Sequence, residues 1–395
     1  MGTGIGITGP CSGGGSAPSS GWVRNPDWQT MPVIVSSDEK FAGLLAIYEN
    51  DFNEITISIG GNGGTTLYWG DGTSQVTANL VGYTKLYDYA TTAGPISVDS
   101  YGRNYKQVMV EIDFVGSVIT LYLDRLNNNV KSPMYWLDLT LCKSDITTFG
   151  FNGLRNSTLL QRLTLIDNNI TSTNSVYQYL RSLRVLDFSS FGPASAFQST
   201  FLSVGDIRDN NNNPINLNVS SASQLNSCFQ YSEITKFGNI DAISATQLSA
   251  TYQYSSIREI GYINVPSATS LPGTFNGCAS LHTVGNITTS SSLTNIANTF
   301  IYCVMLDAIN ISDCSGITST SNTFLYNYSL TSCILTGLTV GITVKDNKMD
   351  ATALDALMTS LGTASGAQTL DISGCVGSAT CDTSIATTKG WTVVI

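Results

Sequence analysis

The sequence predicts a mainly β protein, in which a small N-terminal β domain is followed by a solenoid of repeats and a C-terminal cap. The main observation is a recurring six-residue window with apolar residues at its first, fourth and sixth positions, as in Leu160–Leu165. An aromatic residue precedes most of these windows at a spacing of 23 to 28 residues. A period of this length is typical of solenoids, because each unit can bury its apolar face only by stacking on its neighbours.

The chain begins with a Gly-, Ser- and Pro-rich arm over residues 1–21, which alone would be a flexible coil. The arm holds almost nothing that could enter a core, so we expect it to become ordered only along a neighbouring subunit. Trp22 and Trp28 follow within GWVRNPDWQTMP, and two tryptophans so close together are expected to bury against another surface. We predict that Trp22 and Trp28 help to dock the protein; a disordered tail is the alternative for the arm.

A small β domain is predicted over residues 22–123. Residues 55–59 alternate with period two, a Gly-rich turn follows at 60–64, and further strands fit 67–69, 95–99, 107–115 and 117–123. The piece TLYWGDGTSQ, with Tyr87 downstream, resembles PKD-like domains of the immunoglobulin type, whose hallmark is W-G-D-G followed by a Tyr-containing strand. That resemblance implies a β-sandwich that serves as a spacer or docking module.

The repeats are predicted over residues 134–349, after a polar linker at 124–133. We expect one short strand in each unit, with the window's apolar residues pointing inward and the aromatic markers stacked on one another. Further windows begin at Met134, Leu183, Leu306 and Leu330, and looser ones begin at Ile234, Ile257 and Leu281. The markers are Phe151, Tyr177, Phe201, Phe229, Tyr252, Phe275, Phe300 and Phe324.

These windows resemble the leucine-rich repeat, whose signature L-x-x-L-x-L stands here as LQRLTL, LDAINI and LTSCIL. The block F-x-x-C-x-x-L occurs at residues 275–281 and again at 300–306. It is similar to that of the BspA-like subclass, which is found on bacterial surfaces and in bacteriophage particles. The resemblance implies a leucine-rich-repeat solenoid over about two thirds of the chain and suggests a role outside the cell.

A capping unit is predicted over residues 350–395, where the period breaks. Apolar residues at helical spacing predict a helix from Asp350, as its N-cap, to a stop at Gly362. A last repeat strand at 369–372, a short helix at 382–389 and a closing strand at 391–395 complete the unit. Solenoids need such an end to cover their last turn, and CDTSIATTKGWTV resembles the C-terminal cap of phage-encoded repeat proteins.

Composition argues against several functions. Only 12% of the residues are charged and the net charge is −10, which opposes binding to nucleic-acid phosphates. Residues 1–20 contain no Lys or Arg and no long apolar run, so they do not resemble a secretory signal peptide. The sequence contains no run of about 18 apolar residues, which is the length needed to span a membrane. We therefore expect a protein made in the cytoplasm without a signal peptide and without membrane insertion.

Residues with catalytic or metal-binding potential are few. His282 is the single histidine, and no metalloprotease, nucleophile-elbow or P-loop motif occurs; we expect no enzymatic activity, no cofactor and no metal. The segment Asp206–Pro214 clusters oxygen ligands, and a calcium loop and a solvated turn are both compatible with it. The nine cysteines follow the repeat, which indicates buried small side chains. A disulfide between Cys375 and Cys381 and two free thiols remain alternatives.

Five polar or aromatic residues at or near outward strand positions form the predicted binding surface, since solenoids usually bind through such an extended face. They are Arg184, Asp187, Arg258, Tyr262 and His282. A plain solvated face is the alternative.

Together these observations favour a bacteriophage virion protein, a component of the tail, baseplate or fibre that docks through its arm and β domain and displays its repeats for host attachment. Such a protein would lie on an extracellular particle. Its expected partners are other virion proteins, in a homo-oligomer or multi-copy assembly, and a glycan or protein of the host surface. The alternatives are a capsid or neck decoration protein, a bacterial surface adhesin and a glycan-cleaving tail spike.

Overall fold

The computed structural model describes residues 22–51, 53–61, 64–77, 81–123, 135–151, 159–171, 177–187 and 197–395. The chain is mainly β, with 4% helix, and it forms a β-solenoid of about 10 turns from residue 120 on. The predicted solenoid is therefore confirmed. The predicted arm at 1–21 and the linker at 124–133 lie outside the described residues. Among the described residues, no helix is long and apolar enough to cross a membrane.

The strands described in the N-terminal unit are β1 (Lys40–Tyr48), β2 (Glu54–Gly61), β3 (Thr66–Tyr68), β4 (Ser74–Val76), β5 (Val81–Leu86), β6 (Ser97–Val98), β7 (Asn104–Asp113) and β8 (Val118–Tyr122). The first solenoid turns contribute β9 (Trp136–Lys143), β10 (Thr148–Gly150), β11 (Arg162–Asn168) and β12 (Val185–Asp187). The predicted strands at 55–59, 67–69, 95–99, 107–115 and 117–123 correspond to β2, β3, β6, β7 and β8. The long strand β1 was not predicted, because its run FAGLLAIY is buried on both faces and shows no alternation.

Both sheets of the N-terminal unit continue into the solenoid. One has the order β12-β11-β9-β1-β7-β3-β4, with β6 on β7, and the other has the order β10-β8-β2-β5. The joins are the antiparallel pair β1–β9 and the parallel pair β8–β10. Ile57 of β2, Val110 of β7 and Leu139 of β9 belong to one apolar core that extends to the C-terminal cap. The N-terminal unit and the repeats thus share backbone hydrogen bonds and a core.

The register of the first repeat differs from the prediction. Leu139 and Leu141 of β9 pair with Leu163 and Leu165 of β11, so the first window starts at Trp136 and the predicted start at Met134 was off by two residues. Leu137 points to the other face of the sheet, where the segment at residues 22–34 covers it. The prediction failed because β9 is apolar on both faces, which makes its register ambiguous in the sequence.

The later turns contain two strand ladders, where one strand per unit was predicted. Their strands are β13 (Leu217–Asn218), β14 (Lys236–Phe237), β15 (Ile240–Asp241), β16 (Glu259–Ile260), β17 (Ile263–Asn264), β18 (Thr283–Val284), β19 (Ile287–Thr288), β20 (Ala308–Ile311) and β21 (Ser332–Leu335). They form one parallel sheet in the order β13-β15-β17-β19-β20-β18-β16-β14, with β21 on β20. On a third side of the solenoid, isolated β-bridges link successive turns through Gln247, Ser270 and Asn295.

A glycine at the corner explains the two ladders and the looser windows. Between β18 and β19 stands Gly285, where an added Cβ would lie 2.7 Å from the carbonyl oxygen of Gly261 in the preceding turn. The corner adds one residue, so Leu281, Val284 and Ile287 are buried at positions one, four and seven. In the next turn Asn310 replaces the glycine, and β20 runs straight through with Ile309 and Ile311 buried.

The aromatic markers stack, as predicted. From Tyr177 to Phe324, neighbouring rings are parallel within 13° and their centroids lie 5.2–5.7 Å apart. Phe151 meets Tyr177 edge-on at 78°, where the solenoid joins the N-terminal unit. The stack is buried, so the faces of each inner ring contact neighbouring rings instead of water.

The C-terminal cap contains β22 (Ile342–Thr343), α1 (Ala351–Ser360), β23 (Gln368–Asp371), α2 (Ser384–Thr387) and β24 (Trp391–Val394). Strands β22, β23 and β24 form a separate parallel sheet. The predicted helix is confirmed, and the Asp350 carboxylate accepts a hydrogen bond from the Ala353 amide at 2.8 Å as its N-cap. Helix α2 is shorter than predicted. Helix α1 of the cap packs on the last turn of the solenoid and buries it. The sheet of the solenoid and the sheet of the cap are not continuous.

Candidate functional site

Three of the five predicted surface residues occupy one register of the solenoid. The amide of Arg258 donates to Thr235, that of His282 donates to Arg258 at 2.8 Å, and that of Asp307 donates to His282 at 3.0 Å. Arg184 has the same position three turns earlier, about 14 Å away at about 4.8 Å per turn. Its guanidinium donates to the carbonyl oxygens of Arg181 and Leu183, at 2.9 and 3.0 Å. Arg258 and His282 are therefore close neighbours, and Arg184 is not.

The other two predicted surface residues lie elsewhere on their turns. Asp187 ends β12 and accepts a hydrogen bond from the amide of the Asn210 side chain at 2.6 Å. Tyr262 lies at the corner between β16 and β17, and its hydroxyl donates to Asp241 at 2.7 Å. Because their partners are in adjacent turns, these side chains brace the surface of the solenoid. The five residues spread along the solenoid and do not converge on one point.

The two predicted docking tryptophans pack on the protein's own first sheet. Trp28 is 5% exposed, and its indole N–H donates to the Tyr105 hydroxyl at 3.0 Å. The indole N–H of Trp22 donates to the Gln161 side chain at 3.0 Å. Between them, Arg24 reaches the buried Asp138 of β9. The segment that carries the tryptophans therefore ties the N-terminal unit to the first turns of the solenoid.

The W-G-D-G piece forms a tight turn whose two ends are held by nearby side chains. Trp69 is buried, and its carbonyl oxygen accepts a hydrogen bond from the Tyr87 hydroxyl at 2.7 Å. Burial opposes ionisation of Asp71, but hydrogen bonds from Lys85 and Thr73 outweigh it and lower the pKa of Asp71 to about 2. These contacts give the motif a structural role in the described unit.

The loop at residues 206–214 uses its carboxylates within the protein. Asp206 pairs with Arg208 at 2.9 Å and accepts from Thr235, whereas Asp209 accepts from the amides of Asn211 and Asn213. This arrangement matches the solvated turn rather than a cage around an ion. Over the described part of the chain, no group of three or more His, Cys, Asp or Glu side chains could hold a metal ion. Cys375 and Cys381 are free thiols.

A column of exposed tyrosines was missed in the sequence. It lies two residues after the marker in four turns of the solenoid, and its members are Tyr231, Tyr254, Tyr302 and Tyr326. Each has a φ between 56° and 66°, in the left-handed region that side chains as large as tyrosine rarely adopt. The signal was present as a repeated aromatic-x-Tyr, for example Phe300-Ile-Tyr302. It was not recognised because exposed tyrosines are not part of the periodic pattern of buried apolar residues that reveals the repeat.

The column is divided into two stacked pairs. Tyr231 and Tyr254 stack with centroids 5.5 Å apart, and Tyr302 and Tyr326 stack at 4.6 Å. Gly277 takes the same position in the turn between the pairs, with φ at 74°. Tyr254 leans over it, since a Cβ on Gly277 would lie 2.3 Å from the tyrosine ring. This position therefore accepts glycine, and its tyrosines are not required by the backbone.

A cavity of about 500 Å³ lies where this column ends. One wall is the last regular turn, with Asn322, Tyr326 and Tyr328, and the opposite wall is the cap, with Thr343 and Asp346. A volume of this size is within the range of small-molecule sites, roughly 300–1,000 Å³. The cavity exists because β21 ends the large sheet and β22 starts the separate sheet of the cap.

No family model matches the chain, and no curated protein matches it either.

Proposed function

We propose that this chain is a non-enzymatic structural protein of a bacteriophage virion, a component of the tail, baseplate or fibre. Its repeats are of the leucine-rich, BspA-like type, and they are displayed toward the host envelope. Its N-terminal unit is a PKD-like sandwich that docks to the particle together with the arm. The motif resemblances and the external type of repeat support this proposal.

The observation that carries the proposal is the continuity of both sheets between the N-terminal unit and the solenoid. Strand β1 pairs with β9 along six registered positions, and β8 pairs with β10 along three. A module that must hold a receptor-binding rod on a particle benefits from such a join, because a flexible linker would let the rod collapse onto its base. The polar outer surface, poor in charges, suits a protein that functions outside the cell.

The arm supplies the second docking element of the proposal. Ordering a Gly-rich segment costs about 1–2 kcal/mol of backbone entropy per residue, which contacts with another chain would have to offset. Trp22 and Trp28 are bonded to the protein's own sheet, so in this proposal the arm that precedes them, and not the two tryptophans, makes the contacts with the partner. Deleting residues 2–20 should leave a folded protein that no longer joins assembled particles. Incorporation at parental occupancy would assign docking to the β unit alone.

The experiment that tests the proposal adds a C-terminal tag to the chain in the genome that encodes it. Released particles should carry the tag on their tail or fibre by immunogold electron microscopy. Tag on the bacterial surface, and none on particles, would favour the adhesin. Attachment is tested with the triple variant R258A/Y262A/H282A, which should reduce binding of the protein to host cells. The matched control T269A/T294A/T318A alters an exposed column on another side of the solenoid and should bind normally.

A further inference from the structure

The cavity beside Tyr326 is built by two different parts of the fold. Strand β22 pairs with β23, and Ile342, Thr343 and Thr369 of these strands line the cavity together with residues of the last regular turn. The hydroxyl of Thr320 donates to the carbonyl oxygen of Gly341 at 2.5 Å and joins the two walls at one end. The position of the cavity is therefore determined by hydrogen bonds on both sides, and it does not depend on a single loop.

The aromatic wall is made by Tyr326 and Tyr328. Tyr326 stacks on Tyr302 on one side, and Tyr328 meets it at 63° with centroids 6.3 Å apart. Both rings are exposed, at 40% and 50%. Two rings at this angle give a ligand a flat apolar surface and an adjacent edge with hydroxyl groups.

The backbone conformation at Tyr326 would suit glycine, so the presence of a tyrosine there needs an explanation. Its φ is 66°, and the equivalent Gly277 shows that glycine, which adopts such a φ without strain, fits the position. Strained residues that the fold does not need are often found at functional sites. Tyr302 and Tyr326 stack on each other, and of the two it is Tyr326 that lines the cavity.

The polar groups of the cavity define the chemistry of its ligand. Within the described residues, the Lys345 ammonium and the Asp346 carboxylate have no hydrogen-bond or ion-pair partner. Asn322 donates to Asn298 at 3.3 Å, which leaves its carbonyl oxygen to accept. The exposed hydroxyls of Ser321, Thr343 and Thr369 also line the cavity. These groups can both donate to and accept from a ligand rich in hydroxyls.

Other ligand classes fit less well. A nucleotide or another phosphate needs several cations, but Lys345 is the one cationic residue among those lining the cavity, and Asp346 is its neighbour. A lipid would leave the hydroxyls, the amide and both charges without partners, which is costly when they are covered. A pyranose sugar has an apolar face of C–H groups for the tyrosine rings and hydroxyl groups around its edge for the polar side chains.

We infer that this cavity binds one sugar residue of an oligosaccharide, with the pyranose ring packed on Tyr326 and its hydroxyls bonded to Asp346, Lys345 and Asn322. The oligosaccharide would extend outward along the solvent-exposed side of the cavity. The biological role of this site rests on the proposed host attachment, for which it would supply a glycan receptor. Sugar binding itself can be measured on the isolated protein.

The test screens the full chain on an array of bacterial capsular, O-antigen and peptidoglycan-derived oligosaccharides, and then titrates the strongest binder by calorimetry. Y326G removes the ring and keeps a residue suited to the backbone. D346N removes the charge and keeps a residue that tolerates the φ of 58°. Both variants should weaken binding about tenfold or more. The matched control Y231G changes a tyrosine of the same register and left-handed conformation that is 52% exposed and does not line the cavity, and its affinity should equal that of the parent.

The inference is wrong if the parent binds no oligosaccharide on the array, or if Y326G and D346N both bind with parental affinity. A melting scan of each variant ensures that a loss of binding is not a loss of fold; if Y326G unfolds, D346N decides. Failure of the attachment proposal has a different signature. In that case the sugar still binds in the cavity, but the protein does not appear on particles or attach to cells.

Discussion

The Nε of Arg24 lies 2.9 Å from Oδ2 of Asp138, and Arg162 approaches the other oxygen of the same carboxylate at 2.8 Å. Asp138 is fully buried in β9, the strand through which the N-terminal unit joins the solenoid. Arg24 also donates to the carbonyl oxygen of Trp28 and so holds the covering segment in place. One buried carboxylate therefore links the segment, the N-terminal sheet and the first repeat.

Removing this carboxylate should strongly destabilise the protein. Asp138→Ala leaves two partly buried guanidinium groups without an anion, and breaking a buried ion pair in this way costs about 3–5 kcal/mol. Chemical denaturation measures the loss in the free energy of unfolding. Glu259→Ala is the control, since Glu259 and Lys236 form an exposed pair at 2.8 Å, which is worth at most about 1 kcal/mol. Equal effects of the two changes would contradict a structural role for Asp138.

The marker stack should be essential for the repeats. Phe300 lies between Phe275 and Phe324, with centroids 5.4 and 5.7 Å away, and is fully buried. Phe300→Ala leaves a cavity and should lower the free energy of unfolding by about 3–5 kcal/mol. Met305→Ala, an exposed change in the same turn, should stay within about 0.5 kcal/mol. A Phe300→Ala protein that melts like its parent would show that the stack does not stabilise the solenoid.

The corner between the two ladders should not accept a side chain at Gly285, because the backbones of neighbouring turns lie close together there. Gly285→Ala places a methyl group 2.7 Å from the carbonyl oxygen of Gly261, and overpacking of this kind costs about 1–3 kcal/mol. Asn310 has the same register in a turn whose strand is straight, so Asn310→Ala loses mainly its hydrogen bond to Asn286. Thermal melting should rank Gly285→Ala as the less stable variant. The reverse order would mean that the corner relaxes around the added methyl group.

The buried cysteines should be inert. Burial raises the pKa of the Cys278 thiol to about 12, and it also raises the pKa of Cys314 to about 12. At pH 8 both thiols stay protonated, and the thiol form is not the nucleophile. Iodoacetamide labelling followed by peptide mass spectrometry should modify the partly exposed Cys381 first among the described cysteines. Urea should make all of them reactive, whereas rapid labelling of Cys278 in the native protein would indicate that its turn opens.

Features that depend on one chain segment were predictable, whereas pairings between distant strands were not. The period, the stacked markers and the capping helix could all be predicted, because each depends on residues at a fixed separation along one chain segment. The strand β1 and the register of β9 could not, since both are apolar on two faces and only pairing between distant strands determines their alignment. The surface prediction was limited for a related reason: Arg184, Arg258 and His282 share a register, but the sequence does not show which side chains are already bonded to neighbouring turns.

The sequence by itself determined that this protein is a β-solenoid, because a recurring aromatic residue and a six-residue apolar window leave stacking as the way to bury each unit. The loss of that period and the N-cap at Asp350 also predicted the capping helix α1. Only the tertiary structure decided that Tyr326 and Asp346 line the same cavity. Their proximity depends on the offset between the last turn and the sheet of the cap, and that offset results from packing between segments rather than from any local pattern.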